Sequence, residues 1–297
     1  MSVEDTADLA NSGSHTDEQH PEDIVAIAPS FPNKWEKGEK IGKGAFGEVY
    51  IVKDLDNPKE EKFIVKEVLL VNALKDRNQN IRELEILQSL KHKRIIPFYG
   101  CTILKGILSM FMEYEKMGPL KLYIDKNGAL PEPKVQLFTK QILEGVDYLH
   151  SHDPQVIHRN IKCENIFLED ENNVKLTDFG FSKVLHDQTQ ARSNHGSYKW
   201  MAPEVITAVG DSHYDVKADI WSVGCTVVEM VTAQTIFPKL TAFQALIKIG
   251  NNQAPEYDLH PTSSDNLRQF LVQTFHLKPE LRPTASELLR HVFIVGQ

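Results

Sequence analysis

Cysteine is scarce in this chain. Three occur among 297 residues, Cys101, Cys163 and Cys225, far apart and without a CxxC pair. That argues against a disulfide frame or a zinc site, and fits reduced, buried thiols in a cytoplasmic protein. Long apolar runs are missing too; none approaches the ~18 residues that a membrane span needs. The N-terminus shows neither a basic nor an apolar leader region, so no secretory signal is expected. Lysine and arginine are absent from residues 1–32, which carry seven of the 41 acids: Glu4, Asp5, Asp8, Asp17, Glu18, Glu22 and Asp23. Residues 1–34 therefore read as a disordered acidic tail. The rest is close to neutral and has no basic stripe, which argues against nucleic acid as the main partner.

What is present is an ordinary globular composition, 41% hydrophobic and 25% charged, with ample chain for a large two-lobed domain. The folded part should run from about Trp35 to Phe293, leaving 294–297 as a short end. Residues 35–115 read as strands, at Lys40–Val52, Lys62–Leu70, Ile95–Cys101 and Ile107–Tyr114, with one helix at Asn80–Leu90. That helix puts Ile81, Leu84, Leu87 and Leu90 on one face. From 116 to 293 helical periods dominate: Val135–His152, Ala218–Thr232, Thr241–Gly250, Ser264–Thr274 and Ser286–His291. The expected class is α+β, with a small antiparallel sheet lobe, a mostly helical lobe and a cleft between them.

The first chemical motif is glycine-rich. Gly42-Lys43-Gly44-Ala45-Phe46-Gly47 follows Ile41 and leads through Glu48 to Val49. Glycines let a backbone approach phosphate oxygens and offer its N–H groups. Alone the pattern is weak, because dinucleotide folds share it. There the glycines open a helix, whereas here Glu48–Val52 continues as a strand, giving a strand–turn–strand flap. On the next strand Lys66 closes Phe63-Ile64-Val65-Lys66. A Lys66–Glu83 pair would hold the lysine against α- and β-phosphates. Glu85 is the competing acid, but it lies about 200° around the helix from Glu83 and should face solvent.

The second cluster is far more specific. His158-Arg159-Asn160-Ile161-Lys162-Cys163-Glu164-Asn165 precedes Asp178-Phe179-Gly180 and then Ala202-Pro203-Glu204. In order, spacing and residue types, residues 35–293 resemble a eukaryotic protein kinase domain of the Ser/Thr type. The resemblance implies the bilobal kinase fold and the cofactors ATP and Mg²⁺. It implies that Asp178 and Asn165 hold Mg²⁺ and that Lys162 steadies the γ-phosphate. ATP would lie against Ile41, Gly42, Gly44, Gly47, Val49 and Lys66. Met112 would be the gatekeeper, and Glu113-Tyr114-Glu115 the hinge that offers backbone groups to adenine. Asp219 resembles the buried aspartate that holds the catalytic loop. Glu204 and Arg282 resemble the structural ion pair of the large lobe. Leu87, His158 and Phe179 resemble members of a hydrophobic stack linking the lobes.

Within the kinases, Gly44–Gly47, Trp200–Glu204, Ala218–Met230 and Leu281–His291 look most like the mitogen-activated protein kinase kinase kinases. That implies a protein substrate that is itself a kinase, a MAP kinase kinase, phosphorylated on Ser or Thr. The activation segment would run from Asp178 to Glu204 and include Thr189, Ser193 and Ser197. A phosphate on Thr189 or Ser193 could pair with Arg159; a plain solvated loop is the other reading.

Two positions depart from the family. Asn160 stands where the catalytic aspartate is expected. An amide oxygen accepts a hydrogen bond, but it takes no proton at neutral pH and brings no charge. Losing a general base costs ~10²–10⁴-fold, which takes a family rate of ~1–100 s⁻¹ down to roughly 10⁻⁴ to 1 s⁻¹. Ile64 stands where alanine usually packs on adenine, an overpacking worth ~1–3 kcal/mol unless neighbours adjust. Three readings follow: a kinase of low activity, a pseudokinase that binds ATP as a switch or scaffold, and an interaction module indifferent to nucleotide. The oligomeric state has no signature in the sequence.

Overall fold

The computed structural model describes residues 24–27, 31, 34–44, 47–56, 63–69, 84–104, 106–178, 197–207 and 215–296. The chain divides into two compact units. One comprises Met1–Lys91 with Pro97–Tyr114, the other His92–Ile96 with Glu115–Gln297.

The first unit is built on an antiparallel sheet. Its strands are β1 (Ile24–Ile27), β2 (Trp35–Gly44), β3 (Gly47–Asp54), β4 (Phe63–Leu69), β5 (Phe98–Leu104) and β6 (Ile107–Glu113), in the order β1-β5-β6-β4-β3-β2. A helix, α1, covers the described residues 84–89, and Leu84, Leu87 and Leu90 along it are buried. Strand alternation separates two faces. One face carries Val52, Phe63, Val65 and Phe111 in a cluster that also takes in Phe31. The Phe31 ring lies 4.2 Å from Phe111 and 5.5 Å from Phe63, centroid to centroid.

Ordered structure therefore begins before Trp35, inside the stretch read as a tail. The Ile24-Val25-Ala26-Ile27 run has the composition of a strand and pairs with β5, from Ile24↔Ile103 to Ile27↔Gly100. Burying the Phe31 side chain favours this arrangement by about 1.5–3 kcal/mol.

A second difference concerns residues 92–96, which the sequence suggests belong with the strands. They pack with the second unit instead. Ile96 N–H donates to Leu176 O at 2.9 Å, and Leu176 N–H to Arg94 O at 2.8 Å. The Arg94 guanidinium bonds Asn173 at 2.9 Å and pairs with Glu144 at 3.3 Å.

The second unit is mostly helical: α2 (Leu120–Asn127), α3 (Glu132–His150), α4 (Pro203–Thr207), α5 (Val216–Thr232), α6 (Ala242–Gly250), α7 (Asp265–Thr274), α8 (Ala285–Leu288) and α9 (Val292–Val295). A short hairpin, β7 (Ile166–Leu168) with β8 (Val174–Leu176), lies between α3 and α4. Helix α5 is buried without a break from Ala218 to Met230. A helix buried on all sides belongs in a core; α3 and α7 pack against this one, and α8 packs against α3. Local chemistry sets the helix starts. Thr241 and Gln244 form a capping box on α6, Thr284 and Glu287 form another on α8, and Ser264 caps α7. Each such cap is worth ~1 kcal/mol. Among the described residues no helix is long and apolar enough to cross a membrane.

Candidate functional site

The glycine-rich motif folds as a hairpin between β2 and β3, with Gly42 opposite Val49 and Gly44 opposite Gly47. Residues 45–46 at its tip lie outside the described residues. The glycines are needed for different reasons. Gly47 has φ +143°, and a Cβ there would fall 1.8 Å from Glu67 O, so no side chain fits. At Gly42 a Cβ would meet only Val49, at an ordinary 3.7 Å. Among the described residues nothing forbids a side chain at Gly42, so its bareness leaves room for something outside the sheet. Ile41 beside it is 42% exposed.

Lys66 sits mid-strand on β4, opposite Val49 on one side and Met110 on the other. Ile64, two residues earlier, faces Ile51 and Met112. Alternation puts Val49, Ile51, Ile64, Lys66, Met110 and Met112 on one face, opposite the aromatic cluster. Lys66 is 8% exposed and Met112 9%, so the lysine side chain is buried on a regular strand. Glu113 N–H donates to Pro97 O at 3.1 Å. Glu85 is exposed; Glu83, its expected rival for Lys66, lies outside the described residues.

In the second unit the loop 158–165 is held from below by Asp219 on α5. This carboxylate is fully buried. It accepts the backbone N–H of His158 and of Arg159, each at 2.8 Å, and meets His150 Nε2 at 2.8 Å. Burial alone would raise its pKa, but the His150 bond and the nearby histidines hold it below the usual carboxylate value. The His158 ring, wholly buried, is pushed down by desolvation. Arg159 adopts φ +66° and Asp178 φ +62°, a left-handed conformation that costs a non-glycine residue about 1–3 kcal/mol. The paired bonds to Asp219 hold Arg159 there.

Asn160 follows at the turn of the loop. Its backbone carbonyl accepts the Asn165 side-chain amide at 2.8 Å. This bond fixes the Asn165 amide group and leaves its oxygen as the acceptor. Asn165 O accepts Thr177 N–H at 3.0 Å, which brings Asp178 alongside. The Asn165 amide oxygen and the Asp178 carboxylate are of the hard oxygen type that Mg²⁺ takes. Among the described residues no group of three His, Cys, Asp or Glu side chains could hold a metal. A cation here would draw further oxygens from phosphates or water, as Mg²⁺ commonly does. The donor set fits Mg²⁺ with a phosphate ester.

Lys162 Nζ donates to Ser197 Oγ at 2.9 Å and lies 5.9 Å from the centre of the Trp200 ring. The loop is thereby tied to the single turn Ser197–Trp200. Thr189 and Ser193, the other candidate hydroxyls, lie outside the described residues, as does Phe179. Further along, Arg282 is buried and forks onto Glu204 at 2.6 and 2.8 Å while bonding His276 O and Lys217 O. That pair braces the unit and touches none of the loop residues.

Three features escape a reading of motifs. Lys175 bridges Glu115 at 2.7 Å and Glu169 at 3.0 Å, so the Glu115 carboxylate is committed within the second unit. Its carbonyl accepts Gly118 N–H at 3.0 Å. His150, the third partner of Asp219, ends α3 and carries no motif. Glu229 on α5 is 1% exposed, with Cys163 beside its carboxylate. Burial, followed by the Glu164 charge, pushes it up to about 7. An acid within a continuous apolar helical run was the available signal.

Comparison with known proteins agrees with this geometry. The family model described as protein kinase domain matches residues 35–294. Mitogen-activated protein kinase kinase kinase 2 of Arabidopsis thaliana is 38% identical over 94% of this chain, which covers 43% of that relative. The kinase ANP1 of the same plant is 39% identical over 93% of the chain and 42% of its own length. Mitogen-activated protein kinase kinase kinase 3 of Homo sapiens is 39% identical over 91% and 43%. The chain spans less than half the length of these relatives.

Proposed function

The chain belongs to the protein kinase family, and we propose that it is an ATP-dependent Ser/Thr kinase of the MAP kinase kinase kinase type whose turnover is strongly reduced by Asn160. The observation that carries this reading is the loop 158–165. Asp219, Asn165 and Lys162 hold it in a defined geometry, and the residue at its turn offers an amide instead of a carboxylate.

In this reading the β2–β3 hairpin covers the phosphates of ATP, with Gly42 and Gly44 giving close approach and Lys66 supplying charge. Glu83 would orient Lys66. Ile41, Val49 and Met112 would enclose the base, and backbone groups of Glu113 and Glu115 would meet its edge. Ile64 narrows that space and weakens affinity. Asn165 and Asp178 would hold Mg²⁺, which neutralises charge on the transferring phosphoryl group. Lys162 keeps the Ser197 turn against the loop and positions the incoming hydroxyl. Asn160 orients that hydroxyl through its amide oxygen and leaves its proton to solvent or to the phosphoryl oxygens. The loose transition state tolerates this at a cost of ~10²–10⁴-fold. Similarity to MAP kinase kinase kinases supports a MAP kinase kinase as the protein substrate, in a cytoplasmic cascade. The second reading, a pseudokinase that binds ATP and docks partner kinases, draws its support from Asn160.

The test is transfer of labelled γ-phosphate to a generic Ser/Thr protein, comparing the chain with Asn160→Asp and Lys66→Met. Slow transfer that depends on Mg²⁺, is abolished by Lys66→Met and rises with Asn160→Asp supports the kinase. Transfer at the Lys66→Met level, with Mg·ATP still raising the unfolding temperature, identifies the pseudokinase. Loss of both signals leaves a nucleotide-independent module.

A further inference from the structure

Lys199 lies two residues after Ser197, in the turn tied to the loop 158–165. Its ammonium is half-buried and donates to two neutral oxygens, Thr235 Oγ1 at 3.1 Å and Phe237 O at 3.0 Å. No carboxylate among the described residues pairs with it, and burial lowers its pKa without an opposing acid. A partly desolvated lysine that meets only neutral acceptors is an unbalanced positive charge.

Thr235 also lines an open pocket of about 550 Å³, together with Gln234, Pro238, Lys239 and Asp258. Lys239 is exposed and has no hydrogen bond or ion pair among the described residues. Two lysines without acidic partners thus flank one concavity, one through Thr235 and one directly. Among the described residues Asp258 is the only acid in its lining. The loop between them is shaped by left-handed conformations at Ala233 (φ 55°) and Phe237 (φ 49°). It is pinned by Phe237 N–H to Glu256 O at 2.7 Å. The concavity is therefore built into the backbone.

We infer that this pocket, lined by residues of the loop 234–239 and by Asp258 and joined to the Ser197–Trp200 turn through the Lys199–Thr235 bond, binds an anionic side chain, phosphorylated or acidic, of a protein segment engaged at the loop 158–165. The Lys162–Ser197 bond places the turn bearing Lys199 against that loop, so a polypeptide presenting a hydroxyl there runs close to the pocket. Lysine suits such a task as a point charge, and the hydroxyl of Thr235 and the amide of Gln234 add donors. The inference rests on the kinase reading for its polypeptide ligand, and it concerns binding, which is measured apart from transfer.

The experiment uses the whole chain without ATP, and fluorescein-labelled peptides that carry phosphoserine, glutamate, alanine or lysine at positions flanking a fixed serine. Binding is followed by anisotropy. Phosphoserine and glutamate peptides should bind more tightly than alanine and lysine peptides, and the preference should fade as salt is raised. Lys239→Glu should weaken phosphoserine binding roughly tenfold, and Lys199→Gln, which keeps a donor without the charge, roughly threefold. Asp258→Asn should strengthen it, a direction that damage to the fold would not produce. Equal affinity for all peptides, a preference for lysine, or variants indistinguishable from the parent would overturn the site. So would competition by inorganic phosphate without any peptide preference. Peptide binding with no phosphoryl transfer would instead count against the kinase reading alone.

Discussion

The Asn165 side-chain amide donates to the backbone carbonyl of Asn160 across 2.8 Å. The loop is thus shaped through the backbone of residue 160. Asn160→Asp should raise the transfer rate by ~10²–10⁴-fold while shifting stability by no more than ~0.5 kcal/mol. Parallel kinetics and thermal unfolding check both halves. A revertant with unchanged turnover would show that Asn160 is not what limits the reaction.

Asp219 serves three donors at once. Replacing it by alanine strands two backbone N–H groups and the His150 ring in the core and releases Arg159 from its left-handed conformation. The expected loss is about 3–5 kcal/mol, read by urea unfolding. In the Asn160→Asp background, Asp219→Asn should remain folded yet transfer phosphate more slowly than its parent, because one N–H then faces an amide donor.

Glu229 makes stability depend on pH. Its folded pKa of about 7 lies above the ordinary 4.5, so the folded state holds the proton more tightly than the unfolded chain does. Its contribution is fully present below about pH 4.5 and is lost as pH rises through about 7, on the order of 3 kcal/mol in all. Across that window the parent should lose stability relative to Glu229→Gln. Unfolding curves that stay parallel from pH 4.5 to 7 would contradict the raised value.

The two hairpin glycines should separate folding from binding. Gly47→Ala drives a methyl group into Glu67 O and should destabilise the sheet by more than ~1 kcal/mol. Gly42→Ala has room and should leave the unfolding temperature nearly unchanged. It should nevertheless weaken ATP, as measured by calorimetric titration with Mg²⁺ present.

Phe31 anchors the N-terminal segment among Trp35, Phe63 and Phe111. Phe31→Ala should cost about 3–5 kcal/mol, and a chain beginning at Trp35 should lose a similar amount. Hydrogen exchange at Val52 and Phe111 would report the loosening locally.

Much of this structure is legible residue by residue. The helices of the second unit start where Thr241, Ser264 and Thr284 offer cap oxygens, and the sequence reading errs there by about one residue, between cap and first turn. Helix α5 is plain because apolar residues surround the few polar ones in its buried run, Asp219, Ser222, Thr226 and Glu229. The motif residues around Asn160 are found because their chemistry demands a short contiguous order. What stays hidden is short or non-local. Strands of three or four residues, such as Ile24–Ile27 and Ile166–Leu168, are too brief to show a period. The Lys175–Glu115 bridge joins residues 60 apart in sequence, and Lys199 meets Thr235 and Phe237 only through the fold. Residues 95–96 read as the start of a strand, and backbone bonds of Arg94 and Ile96 with Leu176 tie this stretch to the helical unit instead.

Strand β1 has one more effect. Without it, Phe98–Leu104 would be a seven-residue outer strand with a row of unsatisfied backbone groups, the kind of template on which other chains stack. With Ile24–Ile27 in place, Gly100–Ile103 is occupied and the outer strand on that side is only four residues long. The segment just ahead of the matched family region thus acts as a guard against self-association. Protein produced without it should be prone to precipitate even under conditions where the remaining domain is folded.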